Sequence, residues 1–180
     1  MTTQPINRDS TALLTGKAEK KITYQAAMHG TLVIVNEKGI LLTGRSGIGK
    51  TALALHLIDR DHQLVADDLV NIHSQPRQLI GSCPSQGLGL IHHKQLGIID
   101  IRRKFGPTSV QRQYAINCIV ELTKNFTLGT IPMDIPFGYK TLYDHRINHV
   151  ELSITPFCNL AILIELITDK MHENQQLLDT

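Results

Sequence analysis

An eight-residue motif, set between a short apolar run and a helix-forming run, constrains the fold of this chain most. Its sequence, Gly-Arg-Ser-Gly-Ile-Gly-Lys-Thr, fits the phosphate-binding P-loop pattern G-x-x-x-x-G-K-[ST]. The glycines let several backbone N–H groups point at one spot, and a helix that begins near Lys50 adds the positive end of its dipole. Residues 39–43 predict a buried strand and residues 52–60 a helix, which is the context the motif requires. We therefore expect the phosphates of a nucleotide to bind at Gly44, Arg45, Ser46, Gly47, Ile48, Gly49, Lys50 and Thr51.

Polar residues elsewhere can complete a phosphoryl-transfer site. Lys50 supplies a mobile charge for the β- and γ-phosphates, and the Thr51 hydroxyl suits Mg²⁺. Asp67 and Asp68 follow a short apolar strand, sixteen and seventeen residues after Thr51. A carboxylate there can bind Mg²⁺ or accept a proton from an attacking hydroxyl, and two adjacent acids allow both roles. His29 precedes a predicted strand and, taken alone, is a weak signal for a site.

Composition and charge exclude several classes of function. The chain has 180 residues, 42% of them hydrophobic, and a formal net charge of +2, which gives no support for nucleic-acid binding. No apolar run approaches the roughly 18 residues of a membrane span, and no signal peptide is visible. Three widely spaced cysteines predict a reducing, cytoplasmic setting. We predict no metal site at the adjacent pair His92 and His93, which we expect in a solvated loop.

The order of predicted elements favours a mixed α/β fold with few helices. We expect residues 1–21 to form a flexible arm, or alternatively an arm that docks on a partner subunit, and residues 22–180 to form one P-loop domain. Only two substantial helices are predicted, after the P-loop and over residues 159–172, among many short strands such as residues 115–122. Regular strand–helix alternation of the Rossmann or Ras type is absent. A guanine-reading N-K-x-D is also missing, so a GTPase is not supported.

Three stretches give the chain a family resemblance. Residues 28–33 (Met-His-Gly-Thr-Leu-Val), residues 39–51 with the P-loop, and residues 62–68 (His-Gln-Leu-Val-Ala-Asp-Asp) resemble the C-terminal catalytic domain of the HPr(Ser) kinase/phosphorylase. Residues 96–101 (Leu-Gly-Ile-Ile-Asp-Ile) resemble that family's signature segment, and residues 159–165 the start of its last helix. The resemblance covers about residues 22–170 and is of a short form without the N-terminal domain.

The resemblance implies a chemistry and a fold. Such enzymes use ATP and Mg²⁺ to phosphorylate a serine of HPr, a phosphocarrier protein of the sugar phosphotransferase system, and many also remove that phosphate by phosphorolysis. It implies that Lys50 and Thr51 hold phosphate and metal, with Asp67 as a further metal ligand. It also implies that Asp68 is the preferred proton acceptor of the acid pair and that His29 is the catalytic histidine. The family fold is related to phosphoenolpyruvate carboxykinase, and its members are typically hexamers.

Two segments differ from the family pattern. His92-His93-Lys94-Gln95 stands where the signature carries Glu-x-Arg-Gly, so a second Mg²⁺ ligand is missing and a lysine replaces an arginine. Residues 154–158 replace a segment rich in Arg, Pro and Gly that serves dephosphorylation in the family. These differences predict poor phosphorylase activity and reduced kinase turnover. They leave open two alternatives, an ATP-binding regulator with a degenerate site and a small-molecule kinase on the same scaffold.

Overall fold

Three β-sheets and three α-helices make up the residues that the computed structural model describes, which are 25–124, 135–155 and 158–176. The expected arm, residues 1–21, lies outside the described residues. The helices are α1 (Lys50–Ile58), α2 (Ile101–Phe105) and α3 (Leu160–Gln176). The strands are β1 (Gln25–His29), β2 (Thr31–Val35), β3 (Lys38–Gly44), β4 (Gln63–Ala66), β5 (Leu69–Gln75), β6 (Gln78–Ser82), β7 (Leu90–His93), β8 (Gly97–Asp100), β9 (Gln113–Ala115), β10 (Cys118–Thr123), β11 (Gly138–Leu142) and β12 (His145–Ser153).

The central sheet has six strands in the order β11-β12-β10-β3-β2-β4. Strands β3, β10 and β12 run parallel to one another, whereas β2, β4 and β11 each pair antiparallel with a neighbour. The carboxyl ends of the three parallel strands therefore meet at one edge of the sheet, and β3 leads from that edge directly into the P-loop and α1.

Both faces of the central sheet are buried at β2, which explains why residues 32–35 form an unbroken apolar run. On one face, Val33, Leu42 and Val120 pack against α1 and α3 in a cluster that we call the helix-side core. On the other face, Leu32 and Leu41 belong to an inter-sheet core shared with the four-stranded sheet β1-β5-β6-β9. The P-loop strand is thereby held between two apolar layers.

A third sheet, the β7–β8 hairpin, closes over the P-loop end of the helix-side core. Ile91 of β7 and Ile101 at the start of α2 are fully buried and anchor the hairpin in that core. Leu96 and Ile98 instead remain 69% and 71% exposed. The hairpin is therefore fixed at its base while residues 92–95 face the P-loop.

The expected mixed α/β domain with few helices is confirmed. The prediction of one strand over residues 115–122 was wrong, because the chain breaks at Asn117 and enters a different sheet on each side. The Asn117 N–H donates to the Gly39 carbonyl at 2.8 Å, and its Oδ1 accepts from the Gly39 N–H at 2.7 Å. A Cβ at Gly39 would lie 1.8 Å from the Ala115 carbonyl oxygen, so this junction requires glycine there.

Two strands were missed. β7 includes His92 and His93, which were expected in a loop, and no strand was predicted for the residues of β11. Both strands are four or five residues long and pair at a sheet edge, so their apolar pattern is too short to identify them. Within the described residues, no helix has the length and apolar character that crossing a bilayer demands.

Candidate active site

The P-loop runs from the end of β3 to the start of α1, as the sequence predicts. Gly44, at its first position, adopts a φ of 127°, and a Cβ there would lie 2.5 Å from the Leu122 carbonyl oxygen. Gly49, at its sixth position, caps α1 with a φ of 114°. Both conformations favour glycine, which explains the spacing of glycines in the motif. The loop therefore ends with the free N–H groups of a helix N-terminus.

Lys50 is held inside the loop. Its side chain is almost fully buried, with 6% of its surface exposed. The ammonium group donates to the carbonyl oxygens of Gly44 at 3.0 Å and Arg45 at 3.2 Å. These bonds compensate the burial of a charged group and place a cation beside the N-terminus of α1. The combination suits a multiply charged anion such as a polyphosphate.

Asp67 lies beside Thr51 because β4 pairs with β2 and ends next to the P-loop helix. The Thr31 hydroxyl donates to Asp67 Oδ1 at 2.7 Å, and the Thr51 hydroxyl lies 3.3 Å from both carboxylate oxygens. Burial raises the pKa of Asp67, and the negative charge of Asp68 adds to that effect, although the hydrogen bonds from Thr31 and Thr51 oppose it. Thr51 and Asp67 together offer oxygen ligands of the kind that Mg²⁺ prefers.

His29 and Asp68 are joined through a backbone carbonyl. Asp68 has a φ of 63° in the turn between β4 and β5, and its carbonyl oxygen accepts from the Gly30 N–H at 3.2 Å. The same oxygen lies 2.8 Å from His29 Nδ1. Since a carbonyl can only accept, Nδ1 carries the hydrogen, and in the neutral ring Nε2 is then an acceptor. Both side chains are exposed to solvent, so they can meet a second substrate.

A cavity of about 520 Å³ unites these groups. Lys50 and Thr51 line it together with His29 and Asp68. The remaining walls come from P-loop residues, from Ala52 and from the β7–β8 segment His92, His93, Lys94 and Gln95.

The expectation of a loop at His92 and His93 was wrong, because both residues belong to strand β7, where they line the cavity while His92 stays exposed. The Lys94 ammonium group lies against the P-loop, 3.2 Å from where a Cβ would stand on Gly47. The alignment of residues 92–95 with the family signature was the only signal in the sequence that this segment belongs to the site. Hydrophobic periodicity carries no information about such a long-range contact.

A second group of potential metal ligands lies on the inter-sheet face of the central sheet. Glu121, His149 and Glu151 bring their ligand atoms within 4.8 Å of one another on the neighbouring strands β10 and β12. Glu121 already accepts from the Lys140 ammonium at 2.8 Å, and His149 Nε2 lies 3.2 Å from it. These contacts lower the pKa of Glu121, with the Lys140 hydrogen bond as the largest cause. Glu121 and His149 are thus already partnered within the protein.

The comparison with known proteins agrees with this geometry. A family model described as the HPr serine kinase C-terminal domain matches residues 20–180. The chain belongs to this family. Among its HPr kinase relatives, the HPr kinase/phosphorylase of Exiguobacterium sp. is 33% identical over 169 residues, which cover 92% of this chain and 54% of the relative. That of Bordetella pertussis is 38% identical over 151 residues, or 81% of this chain and 48% of the relative. The chain therefore spans about half the length of these relatives.

A solved HPr kinase structure supports the fold assignment directly. The HPr(Ser) kinase/phosphatase from Coxiella burnetii matches with a TM-score of 0.79 and 32% sequence identity, covering 86% of this chain and 94% of that one. The mixed-sheet architecture of this chain is thus that of an HPr kinase catalytic domain. Its P-loop, acid pair and histidine lie together.

Proposed function

We propose that this protein is an ATP-dependent serine kinase acting on an HPr-like phosphocarrier protein. One observation carries the proposal: His29, Lys50, Thr51 and Asp68 line a single cavity, and Asp67 lies beside Thr51, in a chain of the HPr kinase family. The cavity combines a polyphosphate-binding loop with an exposed carboxylate facing the same space. That combination suits phosphoryl transfer to a hydroxyl group.

The residues divide into two sets by their position. The P-loop backbone and the Lys50 ammonium bind the phosphates of ATP, while the Thr51 hydroxyl and the Asp67 carboxylate would hold Mg²⁺. When bound, Mg²⁺ supplies charge neutralisation at the phosphates. Asp68 accepts the proton of the acceptor serine as the serine oxygen bonds to the γ-phosphorus and ADP departs. His29, held by the Asp68 carbonyl, presents Nε2 to the serine side of the cavity.

The residues of the same cavity also affect phosphorolysis, which is the reverse reaction, and the rate of phosphorylation. Asp68 would return a proton to serine during phosphorolysis. Residues 92–95 offer neither a carboxylate nor an arginine to the cavity, so we expect poor phosphorolysis and slow phosphorylation. From the family we also propose a cytoplasmic homo-oligomer, with six subunits as the expected number and no nucleic-acid or membrane partner.

A phosphorylation assay tests the proposal. The full chain is incubated with Mg²⁺-ATP and the HPr carrier of the same organism, and phosphoserine is measured by mass spectrometry. We expect phosphoserine that disappears in Lys50→Ala and in Asp68→Asn. The matched control is Asp144→Asn, since Asp144 is likewise exposed, has a φ of 65° close to the 63° of Asp68, and does not line the cavity. Full phosphorylation by Asp68→Asn, or none by the wild type, contradicts the proposal.

The segment at residues 92–95 favours a second candidate, an ATP-binding regulator with negligible turnover. His92, His93 and Lys94 line the cavity. They stand at the positions where the family pattern has Glu-x-Arg-Gly. This candidate predicts ATP binding that Lys50→Ala abolishes, without phosphoserine on any carrier. A small-molecule kinase on the same scaffold predicts instead that ADP is released with a low-molecular-weight hydroxyl acceptor and not with HPr.

A further inference from the structure

A second cavity, of about 330 Å³, lies on the other side of the P-loop helix. It is formed where the first two turns of α1 face the end of β12 and the start of α3. Gly49 and Ala52 line both this cavity and the phosphate cavity, so the two spaces adjoin each other at the N-terminus of α1. We call the second space the α1–α3 cavity.

The lining of the α1–α3 cavity differs in chemistry from that of the phosphate cavity. Its apolar wall consists of Ile48, Leu53, Ile154 and Leu160, and in the described residues no lysine, arginine or carboxylate lines it. Its polar side chains are those of His56, Thr155, Cys158 and Asn159. An apolar slot with a small number of polar groups is the usual environment of a flat heteroaromatic ligand.

We propose that the α1–α3 cavity receives the purine base of the nucleotide whose phosphates bind at the P-loop. This inference rests on the proposed ATP binding and names the part of the ligand that this cavity recognises. A nucleotide has a charged end and an apolar end, and the two adjoining cavities match these ends in chemistry. His29 and Asp68 line the phosphate cavity and not the α1–α3 cavity, so a base in the latter leaves them free to meet the acceptor.

Small residues open the passage between the two cavities. A Cβ placed on Gly49 would meet no atom within 4 Å, so the space beside the loop is free at that point. Ala52, one turn further along the same face of α1, is the next residue that lines both cavities. A larger side chain at Ala52 would project into the junction. A ribose can therefore bridge the two spaces without displacing the helix.

The far wall of the cavity is fixed by the cap of α3. Asn159 Oδ1 accepts from the backbone N–H groups of Ala161 at 3.1 Å and Ile162 at 3.5 Å. This bonding satisfies the helix terminus and holds the start of α3 at the cavity rim. Leu160, the first residue of α3, packs against the helix-side core. The wall is thus built into the fold, which suits a pre-formed base site.

Cys158 provides a direct probe of occupancy. It is the exposed cysteine of the three and lines the α1–α3 cavity, whereas Cys118 is buried and Cys83 is half-buried. The experiment measures the rate of maleimide labelling of each cysteine by peptide mass spectrometry, with no ligand, with ATP or with tripolyphosphate. Binding of each ligand is followed independently by calorimetry. At a ligand concentration about ten times Kd, a ligand that covers Cys158 slows its labelling by about tenfold.

We expect ATP to protect Cys158 by about this factor and tripolyphosphate, at equal saturation, to change the rate by less than about twofold. Equal protection by both ligands, or none by saturating ATP, overturns the base assignment while leaving ATP binding intact. If neither ligand binds, the proposed ATP site fails as well. The two failures are therefore distinguishable.

A pair of truncations in α3 tests the apolar wall independently. Leu160→Ala removes part of the cavity lining, and we expect it to raise the Kd for ATP about five- to tenfold with the Kd for tripolyphosphate unchanged. Ile162→Ala is the matched control, because Ile162 is 42% exposed and does not line the cavity. Equal weakening of both ligands by Leu160→Ala, or of ATP by both variants, contradicts the proposal.

Discussion

Thr51 and Asp67 meet side by side: the Thr51 hydroxyl oxygen lies 3.3 Å from each carboxylate oxygen of Asp67. Burial raises the pKa of Asp67, although hydrogen bonds from Thr31, Thr51 and the Asp68 backbone oppose that shift. The folded protein therefore binds a proton at Asp67 more tightly than the unfolded chain does. Asp67 destabilises the fold at neutral pH and is placed where a metal ion would supply the missing positive charge.

The first prediction concerns the destabilisation of the fold by the Asp67 carboxylate. Asp67→Asn should raise the free energy of unfolding at pH 7 by about 1 kcal/mol, while weakening Mg²⁺-dependent ATP binding. Because the pKa of Asp67 is raised, its contribution to stability is present at low pH and is lost as the pH rises through the folded pKa. The advantage of the variant should therefore grow with pH. Urea unfolding at several pH values measures it, with Asp144→Asn as the control. A variant less stable than wild type at pH 7 would contradict it.

The second prediction concerns His29. Because its ring lines the acceptor side of the cavity and is held by the Asp68 carbonyl, His29→Ala should lower kcat for carrier phosphorylation about tenfold or more. The Kd for ATP should stay the same. Steady-state kinetics and calorimetry separate the two quantities. His145→Ala is the control. The His145 ring lies outside the cavity lining, with Nε2 3.1 Å from the Ser74 hydroxyl oxygen. A loss of ATP affinity equal to the loss of kcat would place His29 on the nucleotide side instead.

The third prediction concerns Lys94. Its ammonium group lies against the P-loop at Gly47, so Lys94→Ala should raise the Kd for ATP about tenfold, and Lys94→Arg should retain binding. Lys104→Ala is the matched control, because the Lys104 ammonium lies 5.2 Å from the centre of the Phe105 ring and outside the cavity lining. Calorimetry with ATP measures all three. Wild-type affinity in Lys94→Ala would show that this lysine does not contact the phosphates.

The fourth prediction concerns the contact between α3 and the end of α1. Arg60 donates two hydrogen bonds of 2.7 Å to Glu165, and His62 Nε2 lies 2.9 Å from the same carboxylate. The Arg60 hydrogen bonds, chiefly, lower the pKa of Glu165 to about 2. A lowered pKa stabilises the fold above the unfolded pKa, and this stability is lost as the pH falls from about 4.5 towards 2.

Glu165→Gln should therefore reduce the free energy of unfolding at pH 7 by about 1 kcal/mol, with a smaller difference near pH 3. The control is Glu173→Gln on the same helix, where Glu173 is 64% exposed and pairs with Lys170 at 3.3 Å. An exposed pair of this kind contributes a few tenths of a kcal/mol. Chemical unfolding at the two pH values tests the prediction. A pH-independent effect of Glu165→Gln would attribute the loss to packing rather than to charge.

The P-loop and its flanking elements can be predicted from the sequence, because they depend on local chemistry. Positive φ angles at Gly44 and Gly49 require glycine, and the apolar run before them and the helix formers after them need no distant partner to be recognised. The acid pair after β4 was also visible, since a polar residue ends the apolar run there. The predicted mixed fold with few helices follows from the same local patterns.

The surroundings of the P-loop depend on contacts between segments that are distant in the sequence. The pairing of β2 with β4 brings Thr31 to Asp67, and the local sequence pattern of either strand does not reveal that contact. The short strand β7 carries residues 92–95 across the P-loop, although more than forty residues separate them in the chain. The break at Asn117 depends on a hydrogen-bonding partner 78 residues away, Gly39. Long-range contacts of this kind arise from packing between sheets, which local propensity and periodicity do not encode.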